Sequence, residues 1–222
     1  MKLRKCFIKQ DADTDRAKVV SIMGLARGVG ATHLAIMLGM YLAHGRHCKV
    51  AMIEYGQHGC YEQIRREVRI KEVRLSVKAP QRHAFSYRGI DFYEGVKIPG
   101  FTGMLAETYD YIIIDMCAVD LEQISWLFGE WLNSEISIAV SSFSPWKSRE
   151  CRARLMRITG RAAGKTVSVV SLTNRAKDSL KHRNDIYKDI KLIPWEPDPF
   201  YIRAENLPWF QHIVGLQAVA KL

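Results

Sequence analysis

The sequence predicts a doubly wound, mostly parallel α/β sheet with helices on both faces, and three observations carry that expectation. Short apolar, β-branched runs recur at residues 19–22, 48–53, 109–114, 135–140 and 167–172, with helical spacing between them. Parallel strands need such crossover connections, whereas antiparallel ones can be joined by tight turns. The first run passes through a glycine-bearing turn, Gly24-Leu25-Ala26-Arg27-Gly28-Val29-Gly30, straight into a helix. The run Tyr109-Asp110-Tyr111-Ile112-Ile113-Ile114 is apolar enough for a central strand buried on both faces, and it ends on Asp115.

Residues 1–17 are charged throughout and read as a loosely attached arm, with a single domain over 18–222. The first helix opens near Thr32 and closes at Gly45. Leu34, Leu38 and Leu42 recur at i+4, and Ile36, Met37 and Met40 make the other faces apolar too, so the helix is expected to be buried on most sides. The second strand, 48–53, ends in Glu54. Beyond it, Val68 and Ile70, then Val73, Leu75 and Val77, alternate with a one-residue shift, which predicts an extended, bent segment. That segment carries Arg65, Arg66, Arg69, Lys71, Arg74 and Lys78, either an anion-binding edge or a solvated one that resists aggregation. Residues 85–96, with Gly89 and Gly95, read as short strands and turns.

Asp120 is a candidate cap for a helix whose face is Leu121, Ile124, Phe128 and Leu132. Ser144-Pro145-Trp146 opens a basic helix with Lys147, Arg149, Arg152, Arg154, Arg157 and Arg161. Arg154, Arg157 and Arg161 share one face, which suits either solvent or a row of phosphates. A short strand and proline loop follow at 191–198. The last helix starts at Pro208, with Trp209, Phe210, Ile213 and Leu216 as a core face rather than a membrane face.

Composition narrows the function classes. No apolar run approaches the ~18 residues that span a bilayer, and the N-terminus lacks a signal-peptide core, so a cytoplasmic protein is expected, with a peripheral membrane position left open. Five cysteines (Cys6, Cys48, Cys60, Cys117, Cys151) show no C-x-x-C pair, which argues against a disulfide framework and against a zinc site. His44, His47 and Cys48 read as polar residues around a helix end. The net charge of +10, from 33 Lys+Arg against 23 Asp+Glu, implies attraction to something anionic, whether nucleic acid, an acidic membrane face or an acidic protein, although basic proteins without such a partner are also common.

A strand, a glycine turn and a helix N-terminus together make an anion site, because the first helical turn has unpaired N–H groups and the positive end of the macrodipole. An aspartate at the end of a buried strand suits a hard cation such as magnesium. On these residues the chain resembles the ParA/MinD-type P-loop ATPases. Arg27-Gly28-Val29-Gly30-Ala31-Thr32 stands where that family carries the lysine-rich Walker A loop K-G-G-V-G-K-T, and Tyr109 to Asp115 resembles its Walker B strand. The departures are large: Ala31 holds the P-loop lysine position, Ala26 the signature lysine position, and Arg27 a glycine position.

The resemblance implies nucleotide contacts from Arg27, Gly28, Val29, Gly30, Ala31, Thr32 and His33, with Asn174, after the strand at 167–172, as the residue that reads adenine. It implies magnesium at Thr32 and Asp115, with Glu54 in the first acidic position of the family's D-x-D motif and Gly56 in the second. ATP and Mg²⁺ are the expected cofactors, and a homodimer is in keeping with the family. Both lysines and the second acidic residue are absent, so the expected activity is nucleotide binding with weak or no hydrolysis. The role would be a positioning or assembly factor, similar to the TadZ/CpaE-like localisation factors. Two alternatives stand beside it: a scaffold without nucleotide that binds DNA, a membrane surface or an acidic protein, and an active ATPase in which Arg27 replaces the lysine.

Overall fold

The computed structural model describes residues 16–55, 59–70, 84–96, 101–118, 125–161, 167–172 and 190–215. Eight strands form one sheet: β1 (Lys18–Gly24), β2 (Val50–Tyr55), β3 (Ala84–Tyr87), β4 (Ile90–Val96), β5 (Tyr111–Asp115), β6 (Ile136–Ser141), β7 (Val167–Ser171) and β8 (Lys191–Leu192). Their order is β3-β4-β2-β5-β1-β6-β7-β8. Every neighbouring pair is parallel except β3 and β4, an antiparallel hairpin at one edge. Its turn residues Arg88 and Gly89 both have positive φ, +48° and +73°, as a two-residue type I′ turn requires.

The helices are α1 (Ala31–Met40), α2 (Cys60–Glu67), α3 (Phe101–Leu105), α4 (Ser125–Asn133), α5 (Pro145–Arg161) and α6 (Leu207–Gly215). A π-helical turn over Tyr41–Gly45 continues α1 to the glycine where the sequence predicts its end. As expected, α1 is buried on most sides: Leu34, Ala35, Met37 and Leu38 are fully enclosed. On β5, Ile112, Ile113 and Ile114 are inaccessible to solvent. In α6, Phe210 and Ile213 are core residues, while Leu216 lies outside the described residues. Among the described residues no helix is long and apolar enough to cross a membrane.

Residues 60–67, ahead of the alternation that begins at Val68, are helical. Tyr61, fully buried, and Ile64 face the core three residues apart, and Glu62 pairs with Arg66 across one turn, as a 3.6-residue period requires. Residues 71–83 lie outside the described residues, as do Asp120, Leu121 and Ile124.

The topology creates the site. From β1 the chain crosses through α1 to β2, on one side of β5; from β5 it crosses through α4 to β6, on the other side of β1. Connections that leave in opposite directions open a crevice at the carboxyl ends of β1 and β5, where open α/β sheets bind ligands.

Candidate functional site

The loop between β1 and α1 is anchored at its base and open at its tip. The Gly24 N–H donates to the Cys117 carbonyl at 2.5 Å, and the Leu25 N–H to the Val140 carbonyl at 2.9 Å, so both neighbouring strands hold the loop. Leu25 and Ala26 are buried beneath it, while Arg27 and Gly28 are exposed. Gly28 and Gly30 have φ of +67° and +95°, left-handed conformations that glycine adopts freely. A Cβ at 30 would lie 2.0 Å from Leu172 Cδ1, so that side chain would also have to move aside.

Gly30 caps α1 without a side-chain hydrogen bond, and the first turn carries no acidic residue. The first helical bond is Leu34 N–H to Gly30 C=O at 2.9 Å, which leaves the earlier N–H groups facing the crevice mouth. This is the arrangement that favours an anion. The position expected for a P-loop lysine is filled by the small, buried Ala31.

A cation reaches the loop from another element. Lys147, three residues into α5, sends its Nζ to the carbonyls of Arg27 at 2.8 Å and Gly28 at 2.9 Å. In the sequence it reads as one more charge in the basic helix; only the sheet order brings it to the loop. Arg27 itself is exposed, and among the described residues its side chain makes no hydrogen bond or ion pair.

On the far side of β5, Glu54 and Asp115 are aligned in register on β2 and β5, and both are buried. Glu54 is thus inside its strand, not in a solvated position at the end. Burial pushes its carboxyl above the ordinary range and the Asp115 charge adds to this, while N–H donors from Cys60, Tyr61 and Gly95 pull the other way. Its Oε1 accepts from the Cys60 N–H at 2.8 Å. Asp115 Oδ1 accepts from the Cys117 N–H at 2.9 Å, and Cys117 adopts a φ of +48°.

Two cysteines with no spacing pattern in the sequence lie beside these carboxylates. Cys60 Sγ, Cys117 Sγ and a Glu54 oxygen all lie within 4.8 Å of one another. Thr32 Oγ1 is 3.5 Å from Cys117 Sγ, so the cluster borders the start of α1. The hydrogen bond from Cys117 lowers the Cys60 thiol below its ordinary range. The same bond, together with burial, pushes Cys117 up. Tyr61 is fully buried beside them. Its phenol is raised by burial first and then by the charges of Asp115, Cys117, Glu54 and Cys60, and its hydroxyl has no hydrogen-bond partner among the described residues.

A second opening lies beyond β7. A pocket of about 280 Å³ is lined by Leu172, Ile193, Pro194, Trp195, Asn206 and Trp209, among others. His33 connects it to the loop: its ring stacks on Trp195 with centroids 6.2 Å apart, and its Nε2 lies 2.9 Å from the Glu196 carbonyl. The His33 side chain is thus turned towards Trp195 and Glu196 rather than towards the tip of the loop. Asn174 lies outside the described residues.

Of the two basic runs, Lys71, Arg74 and Lys78 lie outside the described residues. Arg65 Nε is committed to Glu94 at 2.7 Å. On α5, Arg154 is half-buried and Arg157 exposed.

No protein-family model and no curated protein matches this sequence. Its fold, however, is shared. A plasmid partition protein of Borrelia burgdorferi bound to AMPPNP is similar over 93% of this chain and 100% of that one, with 17% identity and a TM-score of 0.61. A chain of the MinC:MinD cell division protein complex of Aquifex aeolicus is similar over 91% and 95%, with 16% identity and a TM-score of 0.62. The septum site-determining protein MinD of Pyrococcus horikoshii, complexed with Mg-ADP, is similar over 93% and 99%, with 14% identity and a TM-score of 0.57. The fold is that of the ParA/MinD P-loop NTPases.

Proposed function

We propose that this chain binds ATP with magnesium, hydrolyses it slowly or not at all, and acts as a nucleotide-dependent positioning or assembly factor. The observation that carries this reading is the uncapped N-terminus of α1 behind Gly28 and Gly30, combined with alanine at both lysine positions. Backbone N–H groups and the helix dipole remain to hold phosphates. Phosphoryl transfer depends on positioning and charge stabilisation, so losing the lysines costs far more in rate than in binding.

The oxygen donors of Thr32 and Asp115 fit a hard cation, and Asp115 is held by backbone in a buried strand. Magnesium would offset charge on the phosphates there, with Glu54 alongside. The base would enter the pocket beside Leu172, and Trp195, 63% exposed, offers it a stacking face. The ATPase alternative would need a cation aimed at the phosphates; Arg27 is exposed, and the Lys147 ammonium is occupied by loop carbonyls.

Isothermal titration with Mg-ATP tests the reading. Binding should fall in the micromolar to millimolar range, and ATP at 100 times its Kd should stabilise the fold by about 2.7 kcal/mol. Ala31→Lys should tighten binding. No heat and no thermal shift at millimolar ATP would point instead to a scaffold without nucleotide.

A further inference from the structure

We propose that Glu54, Cys60 and Cys117 form a site for a soft divalent cation of the zinc type, built into the wall of the crevice. The three donors come from three elements: the end of β2, the first residue of α2 and the turn after β5. Their ligand atoms already lie within 4.8 Å of one another. A tetrahedral zinc with bonds of about 2.3 Å to sulfur and 2.0–2.2 Å to oxygen draws its ligands to within about 4 Å, so small side-chain rotations complete the site.

Backbone holds the donors in place. The Cys60 N–H holds Glu54 Oε1, and the Asp115 carboxylate fixes the Cys117 turn. Two further observations point to a cation here. Glu54 is 1% exposed and makes no ion pair among the described residues. The buried Tyr61 hydroxyl, without a hydrogen-bond partner among those residues, lies against the same charges.

Donor chemistry selects the metal. Two sulfurs and one carboxylate suit zinc and reject magnesium, which takes oxygen. Three protein ligands leave one tetrahedral position open, the form that retains a water or takes an exogenous oxygen. On binding, each thiol releases its proton to solvent and no electrons are exchanged. Thr32 Oγ1, 3.5 Å from Cys117 Sγ, places this cation beside the phosphate loop.

The inference does not rest on nucleotide binding, and nucleotide-free protein tests it. Reduced, metal-free full-length protein is titrated anaerobically with Co²⁺ alone. One equivalent should give sulfur-to-cobalt charge-transfer absorption in the near ultraviolet with intense tetrahedral d–d bands; Zn²⁺ should abolish both and millimolar Mg²⁺ neither. Cys60→Ser and Cys117→Ser should each weaken binding by at least the ~10–100-fold that even outer-shell changes cost. Glu54→Gln, which keeps both sulfurs, should weaken it while the charge-transfer band survives, and Cys48→Ser should leave it unchanged. Absence of the charge-transfer band in the wild-type protein overturns the proposal. So does a band that survives Cys117→Ser, or a Cys60–Cys117 disulfide that forms in air and is not prevented by one equivalent of Zn²⁺.

Discussion

Glu54 and Glu196 are both glutamates with almost no solvent exposure, yet their surroundings push them in opposite directions. Burial alone would raise Glu196, but hydrogen bonds from Asn206 Nδ2 at 2.6 Å, Arg203 N–H at 2.9 Å and Arg203 Nε at 3.0 Å outweigh it and hold the carboxyl below its ordinary range. Glu54 receives only backbone N–H groups, stands beside a second carboxylate, and is raised. A buried carboxylate that is fully satisfied by the protein holds segments together; one left short of positive charge is prepared for something the chain does not itself supply. Glu196 staples the loop after β8 to the start of α6. Glu54 waits at the crevice.

The largest effect expected from this contrast is on stability. Glu196→Ala removes three hydrogen bonds, two of them from a guanidinium-bearing residue, and should cost about 3 kcal/mol in urea unfolding. A cost below about 1 kcal/mol would mean that Glu196 is no staple. Next comes Lys147→Ala, which frees two loop carbonyls and should cost about 1–2 kcal/mol while weakening ATP binding. Arg27→Ala should stay within about 0.5 kcal/mol of wild type and leave ATP binding unchanged. If Arg27→Ala instead abolishes binding, the ATPase alternative revives.

The pH response separates the two glutamates most finely. Ionising Glu54 is harder in the folded than in the unfolded chain, so its contribution lowers stability as pH rises from the ordinary carboxyl range through its raised folded value. For Glu196 the sign reverses: its stabilisation is present above the ordinary range and is lost as pH falls through its depressed folded value. Glu54→Gln should therefore leave unfolding near pH 4 unchanged and raise the thermal midpoint at pH 7, by an amount worth less than about 1 kcal/mol. Equal midpoints at pH 7 would show that Glu54 already has a cation in the apo protein. Lys147→Ala should not alter this difference, since that ammonium lies on the other side of the loop.

Much of the fold was legible because each strand is a local signal. The isoleucines of β5 and the valines of β1 and β7 need no partner to be read, and the run from Lys18 through α1 declares strand, turn and helix in order. What escaped depends on distance along the chain. Cys60 and Cys117 show no spacing pattern and meet only because β2 and β5 are neighbours. Lys147 looks like surface charge until β6 is placed beside β1, which carries the start of α5 to the loop. Helix α2 is hard to read in the sequence because its inward face is carried by Tyr61 and Ile64 alone.

Helix α5 has a consequence of its own. Its first turn grips the loop between β1 and α1 through Lys147, and its 17 residues extend about 26 Å from there, carrying Arg149 and Arg157 on exposed positions. Cys151, Leu155 and Ile158 seat this rod in the core. A ligand that shifts the loop tip has either to break the two Lys147 contacts or to work against that packing.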